Sequence, residues 1–163
     1  MMLKNKVAIV TGGTRGIGFA VVKKFIENGA AVSLWGSRQE TVDQALEQLK
    51  ELYPDAKISG KYPSLKDTAQ VTAMINQVKE EFGAVDILVN NAGISQSTSF
   101  YNYQPEEFQK IVDLNVTAVF NCSQAAAKIM KEQGGGVILN TSSMVSIYGQ
   151  PSGCGYPASK FAV

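Results

Sequence analysis

A parallel α/β sheet with helices on both faces is the fold class the sequence predicts, and three observations predict it. Short apolar, β-branched runs alternate with longer stretches of helical period along the 163 residues. A glycine-rich turn, Thr11-Gly12-Gly13-Thr14-Arg15-Gly16-Ile17-Gly18, joins the first apolar run to the first helical stretch. The composition, 45% hydrophobic and 18% charged, is that of a globular chain and suits one domain over residues 1–163.

The elements follow in order. Val7-Ala8-Ile9-Val10 reads as the first strand, and Ala31-Val32-Ser33-Leu34-Trp35 as the second. A weaker third lies at 57–62, Val85-Asp86-Ile87-Leu88-Val89 is the fourth, and Gly136-Val137-Ile138-Leu139-Asn140 the fifth. Helices are expected over about 16–28, 40–52, 66–82 and 105–131. In the second of these Val42, Ala45, Leu46 and Leu49 recur on one face. Asn28-Gly29 is a helix stop followed by a turn. Strand and helix alternating in this way give a Rossmann-type doubly wound sheet. A complete sheet of that kind has six strands, whereas five are counted here, and the residues from Pro157 read as the opening of a helix. The expectation is a fold cut short after its fifth strand and the start of the next helix, with one sheet edge and apolar surface exposed.

Composition excludes several chemistries. Lys and Arg number 15 against 14 Asp and Glu, so a net charge of +1 offers nucleic acid or an acidic membrane no long-range attraction. The chain contains no His, which removes Ser-His-Asp and Cys-His catalysis and any His-ligated zinc. Cys122 and Cys154 are too few for a disulfide framework or, alone, a structural zinc site, and read as reduced packing residues. No metal site is expected. No segment reaches the ~18 apolar residues of a membrane span, and the N-terminus lacks the apolar stretch of a signal peptide. The expected location is the cytoplasm.

A strand, a glycine-rich turn and a helix N-terminus form a place where a pyrophosphate meets backbone N–H groups and the positive end of a helix. In that reading Gly12 permits the tight turn, Gly16 leaves room for the cofactor and Gly18 lets the helix pack closely, with Thr14, Arg15 and Ile17 between them. Glycine is also common in strand-to-helix turns for conformational reasons alone. The turn is not a Walker A loop, because the Gly-Lys-Ser/Thr ending is missing.

Four ordered motifs carry a family resemblance. Thr11-Gly12-xxx-Gly16-x-Gly18 resembles the TGxxxGxG cofactor fingerprint of the short-chain dehydrogenase/reductase family. Asn90-Asn91-Ala92-Gly93 matches the family's NNAG motif after the fourth strand. Ser143 follows the fifth strand, and thirteen positions later Tyr156-Pro157-Ala158-Ser159-Lys160 is a YxxxK motif. Asn115, in Asp113-Leu114-Asn115-Val116, sits where the family has the Asn of its catalytic tetrad. The match runs from Lys6 to the last residue.

The resemblance implies an NAD(P)-dependent oxidoreductase that moves hydride between nicotinamide and a secondary alcohol or ketone. Tyr156 and Lys160, at i and i+4, share a helix face, and an ammonium beside a phenol favours the phenolate. Tyr156 then takes a proton from an alcohol as hydride leaves its carbon, or returns one in the reverse direction. By resemblance Lys160 also hydrogen-bonds the nicotinamide ribose, Ser143 holds the substrate oxygen, and Asn115 positions a water that relays protons from Lys160. Asn90, Ala92 and Gly93 are cofactor-binding candidates by the resemblance; Asn90, Asn91 and Gly93 also have a mainly structural reading, tying the central strands together while lining the cofactor groove. Taken singly, each tetrad residue has a plainer reading: a solvated Tyr–Lys pair, a capping Ser, an Asn bonded to backbone.

The second strand ends in Trp35-Gly36-Ser37-Arg38, with no carboxylate before Glu40. NAD sites place a carboxylate there for the ribose 2′-OH. Its absence, with Ser37, Arg38 and Arg15 at hand for a 2′-phosphate, favours NADP(H) over NAD(H). Tyr62-Pro63-Ser64-Leu65 departs from the family, which usually carries an Asp near Ser64 for the adenine.

Within the family, residues 11–20, 48–54 and 155–160 are similar to bacterial hydroxysteroid dehydrogenases acting on bile acids. The same core is similar to 3-oxoacyl-acyl-carrier-protein reductases and sugar-alcohol dehydrogenases. A hydroxysteroid is the preferred substrate expectation, and a dinucleotide-binding fragment without turnover is the reading from another class. Tyr101, Ser146, Ile147, Tyr148 and Gln150 are candidates for half of a substrate pocket. The resemblance further implies a homodimer or homotetramer built on the helix at 105–131 and the one beginning near Tyr156.

Overall fold

The computed structural model describes residues 1–163. Five parallel strands, β1 (Val7–Thr11), β2 (Ala31–Trp35), β3 (Ile58–Lys61), β4 (Ile87–Asn90) and β5 (Val137–Asn140), form one sheet in the order β3-β2-β1-β4-β5. Six α-helices connect and flank them: α1 (Gly16–Glu27), α2 (Gln39–Leu52), α3 (Thr68–Phe82), α4 (Pro105–Val112), α5 (Ala118–Glu132) and α6 (Gly155–Phe161).

Side-chain alternation along the central strand explains the two-faced cover. Val7 and Ile9 of β1 join the core formed with Val71, Ile75 and Val78 of α3 and Ala126 and Ile129 of α5. Ala8 and Val10 point the other way, onto Val22 and Ile26 of α1 and Val42, Ala45 and Leu49 of α2. A strand buried on both faces has no polar side, which is why β1 reads as an uninterrupted apolar run. Chain reversal through β1 to β3 on one side and β4 to β5 on the other leaves a crevice at the strands' C-terminal ends, beside β1.

The sequence expectations hold for element order and topology. One correction concerns the helix expected at 105–131. It is broken by a π turn over Asp113–Thr117, between α4 and α5. The wider turn inserts a residue into the helical ladder, a device frequent at functional sites, and it buries Asn115 to 1% exposure. Helix α3 begins at Thr68 because Asp67 caps it, accepting bonds from Ala69 and Gln70 backbone N–H. Both cysteines are free, and burial pushes the Cys122 thiol up to about 12.

β5 pairs with β4 alone. Val137 and Leu139 stand about half exposed on it, while Ile138 packs against the α3/α5 core. The sheet edge and apolar surface expected from the strand count are therefore present in this chain.

Candidate active site

The glycine-rich turn is held in place from β4. Thr11 Oγ1, at the end of β1, accepts hydrogen bonds from the backbone N–H groups of Asn91 and Ala92, both at 3.0 Å. The Asn91 amide donates to the carbonyls of Thr11 (3.2 Å) and Gly12 (3.3 Å). Gly12 and Gly16 take left-handed φ values of +64° and +55° that L side chains rarely adopt. A Cβ at Gly18 would overlap the Gly12 carbonyl oxygen and stand 2.6 Å from Asn91 Nδ2, so α1 packs against the turn at a distance only glycine allows. Nothing lies within 4 Å of a Cβ built at Gly16. Arg15, the residue capping α1, makes no side-chain cap bond, so the first-turn N–H groups of α1 are left without a side-chain partner beside that open space. Ile17 is 70% exposed and Gly93 is also exposed beside this groove. Such a cradle fits the pyrophosphate of a dinucleotide.

The Asn-Asn-Ala-Gly segment divides its work. Asn90 is buried and donates to Ser123 Oγ (3.0 Å) and Asn140 Oδ1 (2.9 Å), tying β4 to β5 and α5. Both bonds go to the scaffold, on α5 and β5. Gly93 matters by lacking a side chain, since a Cβ there would stand 3.2 Å from Asn115 Oδ1 and 3.8 Å from Lys160 Nζ.

Three of the four tetrad candidates come together. Lys160 Nζ lies 5.9 Å from the centroid of the Tyr156 ring and donates to the Thr141 carbonyl at 2.6 Å. Asn115 Oδ1 accepts from Ile94 N–H (2.9 Å), while its Nδ2 donates to Ile94 O (2.9 Å) and to Ser159 Oγ (3.0 Å). Ser159, 1% exposed, passes the link on by donating to the Tyr156 carbonyl at 2.7 Å. The π turn, the loop after β4 and the first turn of α6 are thus one hydrogen-bonded unit. Ser143 is not bonded to it directly. Its Oγ accepts from Val145 N–H at 3.4 Å, the capping role of its plainer reading, and its neighbour Ser142 donates to the Lys160 carbonyl at 3.1 Å. Ser159 and Thr141 were missed in the sequence because one is an ordinary small residue inside a motif and the other acts only through its main chain.

Burial pushes the Lys160 ammonium below its usual 10.5. Between that lowered value and 10.5 the unfolded chain holds more protons than the folded one, so the contribution of Lys160 to stability rises with pH across this window. Lys160→Met removes the rise. The denaturant midpoint of the wild type should gain on that of the variant as pH rises toward 10.5; midpoints that stay parallel would contradict it.

The end of β2 carries the remaining candidates. Ser37, Arg38 and Arg15 are all exposed, and Arg38 opens α2 without capping it through its side chain. Gly36 is required by contact, because a Cβ there would lie 2.7 Å from Thr14 Cγ2. Of the substrate-pocket candidates, Tyr101, Ile147 and Tyr148 are largely exposed. A cavity of about 800 Å³ lies at the opposite, N-terminal end of the strands, where Lys6, Ala31, Lys57, Glu27 and Tyr53 are among its lining residues. Its Tyr53 hydroxyl donates to the Glu27 carboxylate, and none of the motif residues reaches it.

Comparison with known proteins agrees with this geometry. The family model described as short chain dehydrogenase matches residues 6–163. The 3-oxoacyl-acyl-carrier-protein reductase of Chlamydia muridarum is 35% identical over 162 residues, 99% of this chain and 65% of that protein. The enzyme of the same name from Thermotoga maritima is 32% identical, over 100% of this chain and 65% of its own length. The crystal structure of levodione reductase superposes with a TM-score of 0.93 at 33% identity, covering 98% of this chain and 62% of that one. The chain spans about 65% of the length of these curated relatives. With its strand order, its glycine cradle and its Asn115–Ser159–Tyr156–Lys160 cluster, this chain belongs to the short chain dehydrogenase family, whose members are oxidoreductases that bind NAD(P)(H).

Proposed function

We propose that this chain carries the cofactor-binding and proton-transfer part of a carbonyl–alcohol oxidoreductase that uses NADP(H) in preference to NAD(H). The observation that carries the reading is the linked cluster in which the Lys160 ammonium stands beside the Tyr156 ring while Asn115 and Ser159 brace the helix that bears both. The nicotinamide cofactor supplies the hydride donor or acceptor.

The protein's own groups do the rest. Tyr156 Oη hands a proton to the oxygen of a carbonyl being reduced and takes one from an alcohol being oxidised. Lys160 supplies a partly desolvated positive charge beside the Tyr156 ring, and it bonds the ribose of the nicotinamide half. Ser143 Oγ holds the substrate oxygen. Asn115, its amide held by Ile94 and Ser159, positions the water that relays protons from Lys160. Gly12, Thr14, Arg15, Gly16, Ile17 and Gly18 form the pyrophosphate cradle, with Ala92 and Gly93 on the opposite wall. Ser37 and Arg38, with Arg15, take a ribose 2′-phosphate, where a bidentate guanidinium is the strongest partner.

For the substrate, a 3-oxoacyl thioester is the first choice, since the two enzymes cited above bear that name; no relative named above supports a hydroxysteroid. A small-molecule ketone or alcohol and a homodimer or homotetramer complete the reading. Phe120 of α5 and Phe161 of α6, each 61% exposed, and Phe108 of α4 are among the apolar side chains available to such an interface. The deciding experiment follows NADPH and NADH oxidation with 3-oxoacyl thioesters, oxosteroids and simple ketones. Faster NADPH oxidation with one carbonyl class supports the reading. Tight dinucleotide binding with no oxidation of either cofactor by any of them would favour a binding role without turnover.

A further inference from the structure

The C-terminal ends of β1, β2 and β3 lie side by side, and hydrogen bonds continue the ladder past the strands. Gly13 N–H donates to Trp35 O at 2.9 Å, and Gly36 N–H to Lys61 O at 3.0 Å. The glycine-rich turn, Gly36 with Ser37 and Arg38, and Tyr62 therefore follow one another along the edge where the dinucleotide is proposed to lie. Tyr62 is the aromatic residue of that row. The residue is 52% exposed, yet both ends are held: Pro63 after it is buried, and its hydroxyl donates to Gln39 Oε1 at 3.3 Å on the first turn of α2. An exposed aromatic side chain anchored at its tip presents a ring face at low entropy cost. No carboxylate belongs to the Gly36-Ser37-Arg38-Gln39 stretch or to Tyr62-Pro63-Ser64-Leu65, so the side chains here offer a π face, a guanidinium, hydroxyls and one amide.

Resting on the cofactor reading above, we propose that Tyr62 is the platform on which the adenine ring of the cofactor stacks, with Ser37 and Arg38 toward the ribose. The base is then gripped by its face. Stacking on an aromatic side chain is tolerant of base identity, because every purine has a π face. The site accordingly accepts a hypoxanthine dinucleotide nearly as well as the adenine one, while it distinguishes both from a ligand without a base.

Calorimetric binding of adenosine 2′,5′-bisphosphate to the wild type, Tyr62→Phe and Tyr62→Ala tests this without turnover. Removing the ring should raise Kd about tenfold, the scale of a lost base–aromatic stack, while Tyr62→Phe stays within about twofold because the ring remains. NADPH and its hypoxanthine analogue should bind the wild type within about threefold of each other, a margin smaller than one lost stack. Ribose 5-phosphate, which has no base, should lose nothing in Tyr62→Ala. Wild-type affinity in Tyr62→Ala, or an equal loss in Tyr62→Phe, would overturn the stacking role. A wild type that binds neither adenosine 2′,5′-bisphosphate nor NADPH would instead remove the cofactor reading beneath it. Thermal melts of the variants should match the wild type, as expected for an exposed ring; a lowered melt that accounts for the affinity loss would make Tyr62 structural.

Discussion

Tyr156→Phe should lower kcat for carbonyl reduction by about 10²–10⁴-fold, the usual worth of a positioned general acid–base group, and leave the Kd for NADPH within about twofold of wild type. The substitution deletes one oxygen and keeps the ring. Every hydrogen bond that positions residue 156 in the fold is made by its backbone: its N–H donates to Gly153 O, and its carbonyl accepts from Ser159 Oγ. The Lys160 ammonium keeps its Thr141 partner in the variant. Rate and binding therefore separate cleanly. Steady-state kinetics beside a fluorescence titration of NADPH reads both. Turnover within tenfold of wild type would show that another group moves the proton, and a matching loss of cofactor affinity would mean that the hydroxyl binds instead of reacting.

Gly18→Ala is expected to damage both stability and cofactor binding through one added methyl. The added Cβ would occupy the space of the Gly12 carbonyl oxygen and press on Asn91 Nδ2. Neither neighbour is free to yield, since the Gly12 carbonyl belongs to a left-handed turn and Asn91 is bonded to the Thr11 and Gly12 carbonyls. Relief requires α1 to move away from β1, against the packing of Val22 and Ile26 on Ala8 and Val10. Overpacking of this kind costs about 1–3 kcal/mol, which for a domain of this size lowers the melting midpoint by roughly 2–12 °C. Because α1 carries the N–H groups of the proposed cradle, affinity for NADPH should fall by about tenfold or more, the scale of a shift costing 1.4 kcal/mol. Gly16→Ala serves as the contrast: it meets no atom within 4 Å and strains only the backbone. Equal stability and binding in Gly18→Ala would mean that the turn relaxes, and the close-packing argument would then fail.

The contrast between the two glycines shows what a spacing motif carries and what it leaves out. Thr11-Gly12-xxx-Gly16-x-Gly18 marks the turn in the sequence, because strand, glycine and helix period are all local signals. That Gly18 is needed for contact is decided by the Gly12 carbonyl and by Asn91, just past β4 and some 70 residues away along the chain, whereas Gly16 is needed only for its left-handed conformation. Asn115 is a stronger case. Its neighbours in sequence have helical period, so 105–131 reads as one helix, and nothing local signals the π turn that turns the amide inward. The widened turn persists because Ile94 and Ser159 satisfy the amide from two other elements.

By itself the sequence determined the fold class, the order of strands and helices along the chain, the glycine-rich turn, the family and the spacing that puts Tyr156 and Lys160 on one helical face. Those follow from period, turn chemistry and motif order, which are properties of short segments. Only the tertiary structure decided that Asn90 holds β4 to β5 and α5, that Ser159 joins Asn115 to the Tyr156 backbone, and that Tyr62 stands anchored beside the end of β2. Each of these roles is a hydrogen bond between residues more than twenty positions apart or a link that closes such a bond, and the parallel sheet, by laying distant strand ends side by side, is what brings the partners within reach.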